Sequence, residues 1–485
     1  MTILFRKQSI ASWILLGLIP CFLSFPAAAV PAEIIGNPLI PDTIADPSIV
    51  CFDGTYYLYG TTDTDKGLRE AGPPVVWKSK DFLNWSFEGI LIPDVKWGKT
   101  RYWAPGKVIK KDNRYYLFVT VVSEKNNPKG YVAIADKPEG PFHFVGGDPI
   151  FVDDPATGKN ALKPILPDID GDPFVDDDGS TSIFWRKRKA AKLSSDLLSI
   201  EGPIIDIRTK QPGYSEGPFM FKRKGIYYYV YTLAGGENYK NAYMMSKTGP
   251  LGPFEAPASN DIITFTDLDA KIIGPGHGNV FQFPNSDDFV FVYLEFGQGS
   301  TTRQVFADRL VFNDDGTIQP LHLTHRGIGP VGTQLQPVNL ALAGTASAST
   351  ESGPWGKDFN VDTDPNNHGP KMPVHLSRSY EAKNAIDGSN GSCWIADPKD
   401  KDPWWKIDLG EVKTIDHVEM AFAGPTLGHT WTLEKSNDGQ TWQVCTDQKD
   451  LTICSPDVVK NIGSARYLKV SIRSGKAGLW EFKVF

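Results

Sequence analysis

The feature that most restricts the fold of this chain is a repeat. Five aromatic segments each follow a turn signal: "DGTYYLYGT" at 53–61, "DNRYYLFVT" at 112–120, "DDGSTSIFW" at 177–185, "RKGIYYYVYT" at 223–232 and "SDDFVFVYL" at 286–294. With Asp53, Asp112, Asp177, Lys224 and Asp287 as markers, the intervals are 59, 65, 47 and 63 residues. Each interval has room for about four short strands. Helical periodicity is almost absent. Five such units in series predict an all-β chain whose first part is a five-bladed β-propeller, each blade a four-stranded sheet.

A second pattern overlies the first. Ahead of the five markers stand "ADPS" (Asp46), "WAPG" (Trp103), "DGDPF" (Asp170), "EGPF" (Glu216) and "GPGHGN" (His277), at offsets of 7, 9, 7, 8 and 10 residues. In a propeller the strand before such a hairpin is the innermost one, so equivalent positions converge on the central axis. Asp46, Asp170 and Glu216 are then expected to face one another around one mouth. Singly, each has an ordinary reading. Asp before Pro-Ser is a turn former, Glu before Gly-Pro a solvated loop acid, and Trp103 a blade-core residue. Asp176–Asp178 read as a hairpin turn.

The chain of 485 residues suggests two or three domains. The first 29 residues combine Arg6 and Lys7, an apolar run and small residues at Ala27–Ala29. They read as a signal peptide, which implies a secreted or periplasmic protein. No other stretch is apolar and long enough to span a membrane. The balance of 50 basic against 57 acidic residues, with no basic block, makes nucleic acid an unexpected partner. Cys445 and Cys454 are candidates for a disulfide, whereas Cys51 reads as a buried thiol. Around 325–345 the chain turns rich in Gly, Pro, Ala, Ser and Thr, a boundary. The expected domains are 30–330, the propeller, and 338–485, a β-sandwich. Inside the latter, "DPNNHGPKMPVHLS" reads as a loop insertion.

Three carboxylates at one mouth, with aromatics nearby, suit glycosidic bond hydrolysis. One acid protonates the leaving oxygen, and one carboxylate activates water on the opposite face of the sugar. On "NPLIPDTIADPSIVCFDGTYYLYGTTD", "RYWAPGKVIKKDNRYYLFVT", "DIDGDPFVDDDGS", "YSEGPFMFKRKGIYYYVYT", "GPGHGNVF" and "RQVFADRLVFNDDGTIQP", the chain resembles glycoside hydrolase family 43 of clan F over residues 34–325. The resemblance implies a five-bladed propeller of inverting enzymes. By it, Asp46 matches the general base, Glu216 the general acid, and Asp170 the carboxylate that tunes and orients the acid. Asp168 and Asp172 are close alternatives to Asp170. His277 matches a residue that helps hold a central ion near the axis, commonly calcium. Trp103 and Arg303 are candidates for the sugar pocket, Arg303 equally for a structural salt bridge.

The C-terminal part resembles a discoidin-type (coagulation factor type C) jelly-roll β-sandwich, as in carbohydrate-binding module family 32. It does so on "VNLALAGTASAST", "YEAKNAIDGSNGSCWIADPKDKDPWWKIDLGEVKTIDHVEM", "LEKSNDGQTWQVC", "ARYLKVSI" and "LWEFKVF". The resemblance implies a structural calcium site with Asn384, Asp387, Asn390, Ser392 and Glu481 among its ligands; hard oxygen donors suit that ion. Trp355, His368 and Trp431 are candidates for stacking on sugar rings, and Trp394, Trp404, Trp405 and Trp442 for the core. No organic cofactor is implied.

The expectation is an exported inverting glycoside hydrolase acting on polysaccharide side chains or oligosaccharides. α-L-Arabinofuranosidase and β-xylosidase are the leading activities; galactosidase and endo-arabinanase are alternatives on the same fold. Insertions around 64–75 and 152–164 would wall off one side and favour exo action. A non-catalytic carbohydrate-binding protein is the rival from another class.

Overall fold

The computed structural model describes residues 36–63, 73–93, 101–122, 127–145, 163–258, 260–296, 303–329, 331, 337–364 and 371–485. The signal-peptide segment 1–29, His368 and most of the two insertions lie outside the described residues. From Ile34 to Phe485 the chain forms one compact unit.

The five repeats are five separate sheets. The first is β1 (Ile44–Phe52), β2 (Thr55–Thr62), β3 (Pro74–Ser79) and β4 (Trp85–Ile90). In the second, β5 (Arg101–Trp103) and β6 (Ile109–Lys111) both pair with β7 (Arg114–Val122), followed by β8 (Pro128–Ala135) and β9 (His143–Phe144). The third is β10 (Asp172–Val175), β11 (Thr181–Trp185), β12 (Lys189–Leu193) and β13 (Ile200–Asp206). The fourth is β14 (Ser215–Arg223), β15 (Ile226–Leu233), β16 (Lys240–Ser246) and β17 (Ile262–Thr264). The fifth has three strands, β18 (Gly276–Gln282), β19 (Phe289–Glu295) and β20 (Gln304–Leu310).

The hairpin signals act as read. Asp53-Gly54, Asp112-Asn113 and Lys224-Gly225 all have positive φ and join strands through two-residue turns. Such turns match the right-handed twist of the strands they connect. The second strand of each blade is apolar on both faces because it is packed between neighbouring blades. β2 is buried at all eight positions and β19 at all seven.

The fifth blade is completed from the other end of the propeller. Leu39 N donates to Val305 O (2.8 Å), and the Asn37 side chain bonds Ala307 through both its oxygen and its nitrogen. The segment from Gly36 to Leu39 thus runs beside β20 and satisfies an edge that would otherwise be open.

The C-terminal part is the expected sheet-rich sandwich. Its main sheet holds β21 (Thr345–Ala348), β24 (Trp394–Ile395), β25 (Trp404–Phe422), β26 (His429–Ser436), β27 (Gln443–Thr452), β28 (Asp457–Ser474) and β29 (Gly478–Val484). The long strands β25 and β28 pair with each other along most of their length, across two register shifts. Trp394 and Trp405 are fully buried core residues, as expected. Trp431 is only 2% exposed and belongs to the same core, so it is not a sugar-stacking face. Cys445 and Cys454 are free thiols; Asp457 is the hydrogen-bond partner of Cys454, and burial pushes that thiol up to about 12. Cys51 is also free, and half-buried rather than buried.

The stretch read as a loop insertion is instead part of a hairpin of two strands, β22 (Trp355–Val361) and β23 (Met372–Arg378). It leaves the sandwich and packs Phe359 and Val361 into an apolar cluster with Ala45, Tyr239, Leu294 and Phe296 of the propeller. Asn390 Nδ2 donates to Pro38 O and Leu39 O, and its carbonyl accepts from Gln304.

Candidate active site

Each inner strand carries one residue in the left-handed region: Asp46 (φ 53°), Ala104 (φ 45°), Asp170 (φ 64°), Gly217 (φ 48°) and His277 (φ 37°). In the first, fourth and fifth blades the ladder skips there, between Ala45 and Ser48, Glu216 and Phe219, and Gly276 and Asn279. These are β-bulges, which re-aim a side chain at the cost of local strain. All five kinked residues line one cavity of about 20 Å³, so they do meet on an axis. The register corrects the sequence alignment in two blades. The kinked residues are Ala104 and Gly217; Trp103 and Glu216 each stand one place earlier. Glu216 therefore leaves its strand in a different direction from Asp46 and Asp170.

Threonines brace the kinks across blade boundaries. Thr61 Oγ1 accepts the amide of Ala104 (2.8 Å), Thr120 Oγ1 that of Asp170 (3.0 Å) and Thr232 Oγ1 that of His277 (3.0 Å). The third blade has no threonine at this place, and Asp170 does the work with its own side chain: Oδ2 accepts Gly217 N at 3.1 Å. That bond seats Asp170 against the backbone of the residue following Glu216.

Asp46, Asp170 and Glu216 are 6%, 4% and 7% exposed, three carboxylates withdrawn from water in one place. Asp46 accepts from Thr61 Oγ1 (2.9 Å) and Arg303 Nη1 (3.2 Å), with His277 Nδ1 3.3 Å away. Burial alone would push its carboxyl up. Arg303, His277 and the Thr61 hydroxyl together outweigh burial and hold Asp46 below the usual carboxylate range. Asp170 behaves oppositely. Burial, reinforced by the charges of Glu216 and Asp46, pushes it up to about 7. Glu216 is held by two phenols, Tyr239 on Oε1 and Tyr214 on Oε2. Perturbed carboxyl groups of opposite sense in one buried cluster mark a functional site.

The remaining candidates fall on both sides of this cluster. Arg303 is fully buried, and Asp63 takes its backbone N–H, Nε and Nη2 at 2.8–3.0 Å, so Arg303 reaches Asp46 and no open pocket. Of its two readings, the salt bridge is the one observed. Trp103 is half-buried under the Arg101 guanidinium, 5.1 Å from its ring centre. Asp172 accepts Lys107 N (3.0 Å), and Asp168 pairs with Arg186 and Lys187 (2.7 and 3.0 Å), which leaves Asp170 as the acid nearest Glu216. Asp176 closes the hairpin turn, as expected.

For an ion on the axis the structure offers the imidazole of His277, whose Nδ1 already faces Asp46. Among the described residues no group of three or more His, Cys, Asp or Glu side chains is placed to hold a metal. The sandwich fits an ion better. Glu481 is buried beside Asp387, which pushes its carboxyl up along with burial, and its Oε2 has no hydrogen-bond partner. Ser392 Oγ donates to Asp387 (2.6 Å), and Asn384 Nδ2 is tied to Ser379 O and Cys393 O. Asn390 turns its amide to the propeller instead.

Residues 35–318 match the family described as glycosyl hydrolases family 43. The chain belongs to that family. Residues 384–470 match the NedA-like, galactose-binding domain. This family 43 glycoside hydrolase is 29% identical over 311 residues to a β-D-galactofuranosidase of Aspergillus niger, covering 60% of this chain and 86% of that one. It is 28% identical over 420 residues to an arabinoxylan arabinofuranohydrolase of Bacillus subtilis, covering 70% and 75%. A solved glycoside hydrolase shares 41% identity and a TM-score of 0.81, over 92% of this chain and 98% of that one.

Tyr214, Tyr239, Asp63 and the bracing threonines were not singled out by sequence. Tyr214 had a signal, since it lies two residues before Glu216 and so on the same strand face. The threonines end three of the five hairpin motifs, and Asp63 follows one. Tyr239 stands in no motif.

Proposed function

We propose that this family 43 enzyme hydrolyses O-glycosidic bonds with inversion, Asp46 acting as base and Glu216 as acid. Asp46 takes a proton from water, whose oxygen attacks the anomeric carbon. The bond to the leaving oxygen breaks as Glu216 donates its proton there. The observation that carries this reading is the contrast between the two groups. Asp46 is held ionised by Arg303 and His277, whereas Glu216 is enclosed by two tyrosines and backed by Asp170. Asp170 and Arg303 are positioning residues for the acid and the base.

The substrates proposed first are α-L-arabinofuranosides and β-xylosides on polysaccharide side chains or oligosaccharides, cleaved from the end. A β-D-galactofuranoside is the second reading, favoured by the Aspergillus niger relative, of which the chain covers 86%. A panel of aryl α-L-arabinofuranoside, β-D-xyloside and β-D-galactofuranoside substrates tests the sugar. Proton NMR of the first product formed tests the stereochemistry: the inverted anomer is expected, and a retained one rejects the mechanism.

We further propose export by the N-terminal segment, and a calcium ion in the sandwich held by Asp387, Glu481 and Ser392 with Asn384. Bound there, the ion would supply charge that lets both acids stay ionised.

A further inference from the structure

The middle residue of Asn238-Tyr239-Lys240 touches the acid, and both its neighbours are held by the C-terminal part of the chain. Asn238 Oδ1 accepts the amide of Asp362 at 2.8 Å. Lys240 Nζ lies 3.0 Å from Asp362 Oδ2 and also donates to Asp364 O at 2.8 Å. The side chains of this ion pair are 2% and 4% exposed. Tyr239 leaves the chain on the other side and donates its hydroxyl to Glu216 Oε1. Successive side chains of an extended segment alternate in direction. Gripping residues 238 and 240 therefore fixes where 239 points. The Tyr239 ring is wedged 5.6 Å from Phe296, in the cluster that Phe359 and Val361 of β22 complete.

We propose that the β22–β23 hairpin of the sandwich is a positioning element of the active site: through Asp362 it places Tyr239, and through Tyr239 it places Glu216. The inference rests on the reading of Glu216 as the acid. A sugar-binding module acting as a mere tether has no use for a buried ion pair set into the catalytic domain. Such a pair carries a large desolvation cost and gives little net stability, so its gain here is in geometry. The neighbours of Glu216 leave Tyr239 a defined task. Tyr214 occupies the second carboxyl oxygen, and Asp170 and His277 act on the acid by charge. Tyr239 alone ties Oε1 to the second module.

A misplaced acid hurts most when the leaving group is a poor one, because a stable leaving anion needs no proton. Two substrates carrying the sugar the enzyme accepts separate the cases: a dinitrophenyl glycoside and an alkyl glycoside. In Tyr239→Phe and Asp362→Asn, kcat on the alkyl glycoside should fall roughly tenfold or more, out of the ~10²–10⁴ that a placed acid contributes. KM should hold, and the dinitrophenyl rate should stay near that of the parent. An equal fall on both substrates, or none on either, overturns the proposal. Should Asp362→Asn not fold, Phe359→Ala loosens the same hairpin without unpairing a buried charge, and the same selective fall is expected. A selective fall in Tyr239→Phe with none in either hairpin variant rejects the part played by the sandwich. Glu216→Gln retaining full rate on the alkyl glycoside would instead remove the reading on which the inference stands.

Discussion

Arg303 binds Asp46 through one arm of its guanidinium, at 3.2 Å, while Asp63 holds the rest of it. The fork geometry makes this possible, and a lysine cannot span both acids. Arg303→Lys should fold, because a buried positive charge remains. It should hold Asp46 less firmly in its ionised form. Asp46 is now held low, so it stays charged until the pH falls well into the acid range. A weaker grip moves that loss upward, and the acid limb of kcat/KM should shift to higher pH. An unmoved acid limb rejects the role given to Arg303.

Asp46→Asn and Glu216→Gln should separate by leaving group. Removing the base should lower kcat on every substrate, by about 10²–10⁴-fold. Removing the acid should spare dinitrophenyl glycosides. Circular dichroism checks that both variants remain folded, and identical substrate profiles would refute the assignment.

Gly217→Ala adds a methyl group only 2.7 Å from Cγ of the His277 ring, at a residue with φ of 48°. Neither the ring nor the backbone has room to yield, since Asp170 holds the amide of residue 217. We expect a loss of roughly 1–3 kcal/mol of stability and a large loss of rate. Gly54→Ala is the control: it has a positive φ too, but nothing lies within 4 Å. Its rate should match the parent, and equal damage in both would point to the backbone alone.

The proposed calcium site gives a thermal test. A chelator should lower Tm, and added calcium should restore it, because an ion bound only by the folded form stabilises it by mass action. Glu481→Gln should lose this response. No change in Tm with chelator would count against the ion.

Asp42 has a pH consequence of its own. It is buried with Oδ2 unpartnered, and burial pushes its carboxyl up to about 7. In the unfolded chain it ionises near 3.8. Its favourable contribution is therefore complete below that value and is lost as the pH rises through about 7. Asp42→Asn should flatten the fall in Tm between pH 5 and pH 8, and a slope equal to the parent's would contradict this.

The repeat was legible because a blade is a local object. Its turn residues and aromatic strands lie within ten positions of each other, and the five kinks follow at fixed distances. What stayed hidden is non-local or depends on a single step of register. Asp46 and Glu216 looked equivalent by spacing, yet a one-residue bulge puts Gly217 where Glu216 was expected. Trp431 read as a surface ring because nothing in "HTWTLEK" reveals which face of β26 is covered. The β22–β23 hairpin looked like a loop because its polar, proline-rich tip dominates its composition. Its apolar half, Phe359 and Val361, has meaning only beside Tyr239, more than a hundred residues earlier.

The seam beside β20 bears on how this protein is made. Asn37 and Ala307 are 270 residues apart in sequence, so the ring can shut only after its last blade has been synthesised. Until then, the first blade must wait with its partner missing. High contact order of this kind slows folding, because the loop must close before any contact rewards it. Asn390 then joins Pro38 and Leu39 on one lip of the seam to Gln304 on the other. A nascent chain cut short before residue 390 can make its five blades yet lacks the residue that bridges their two ends. Release of the finished C-terminus, rather than completion of the fifth blade, is thus the event that commits the ring to stay shut.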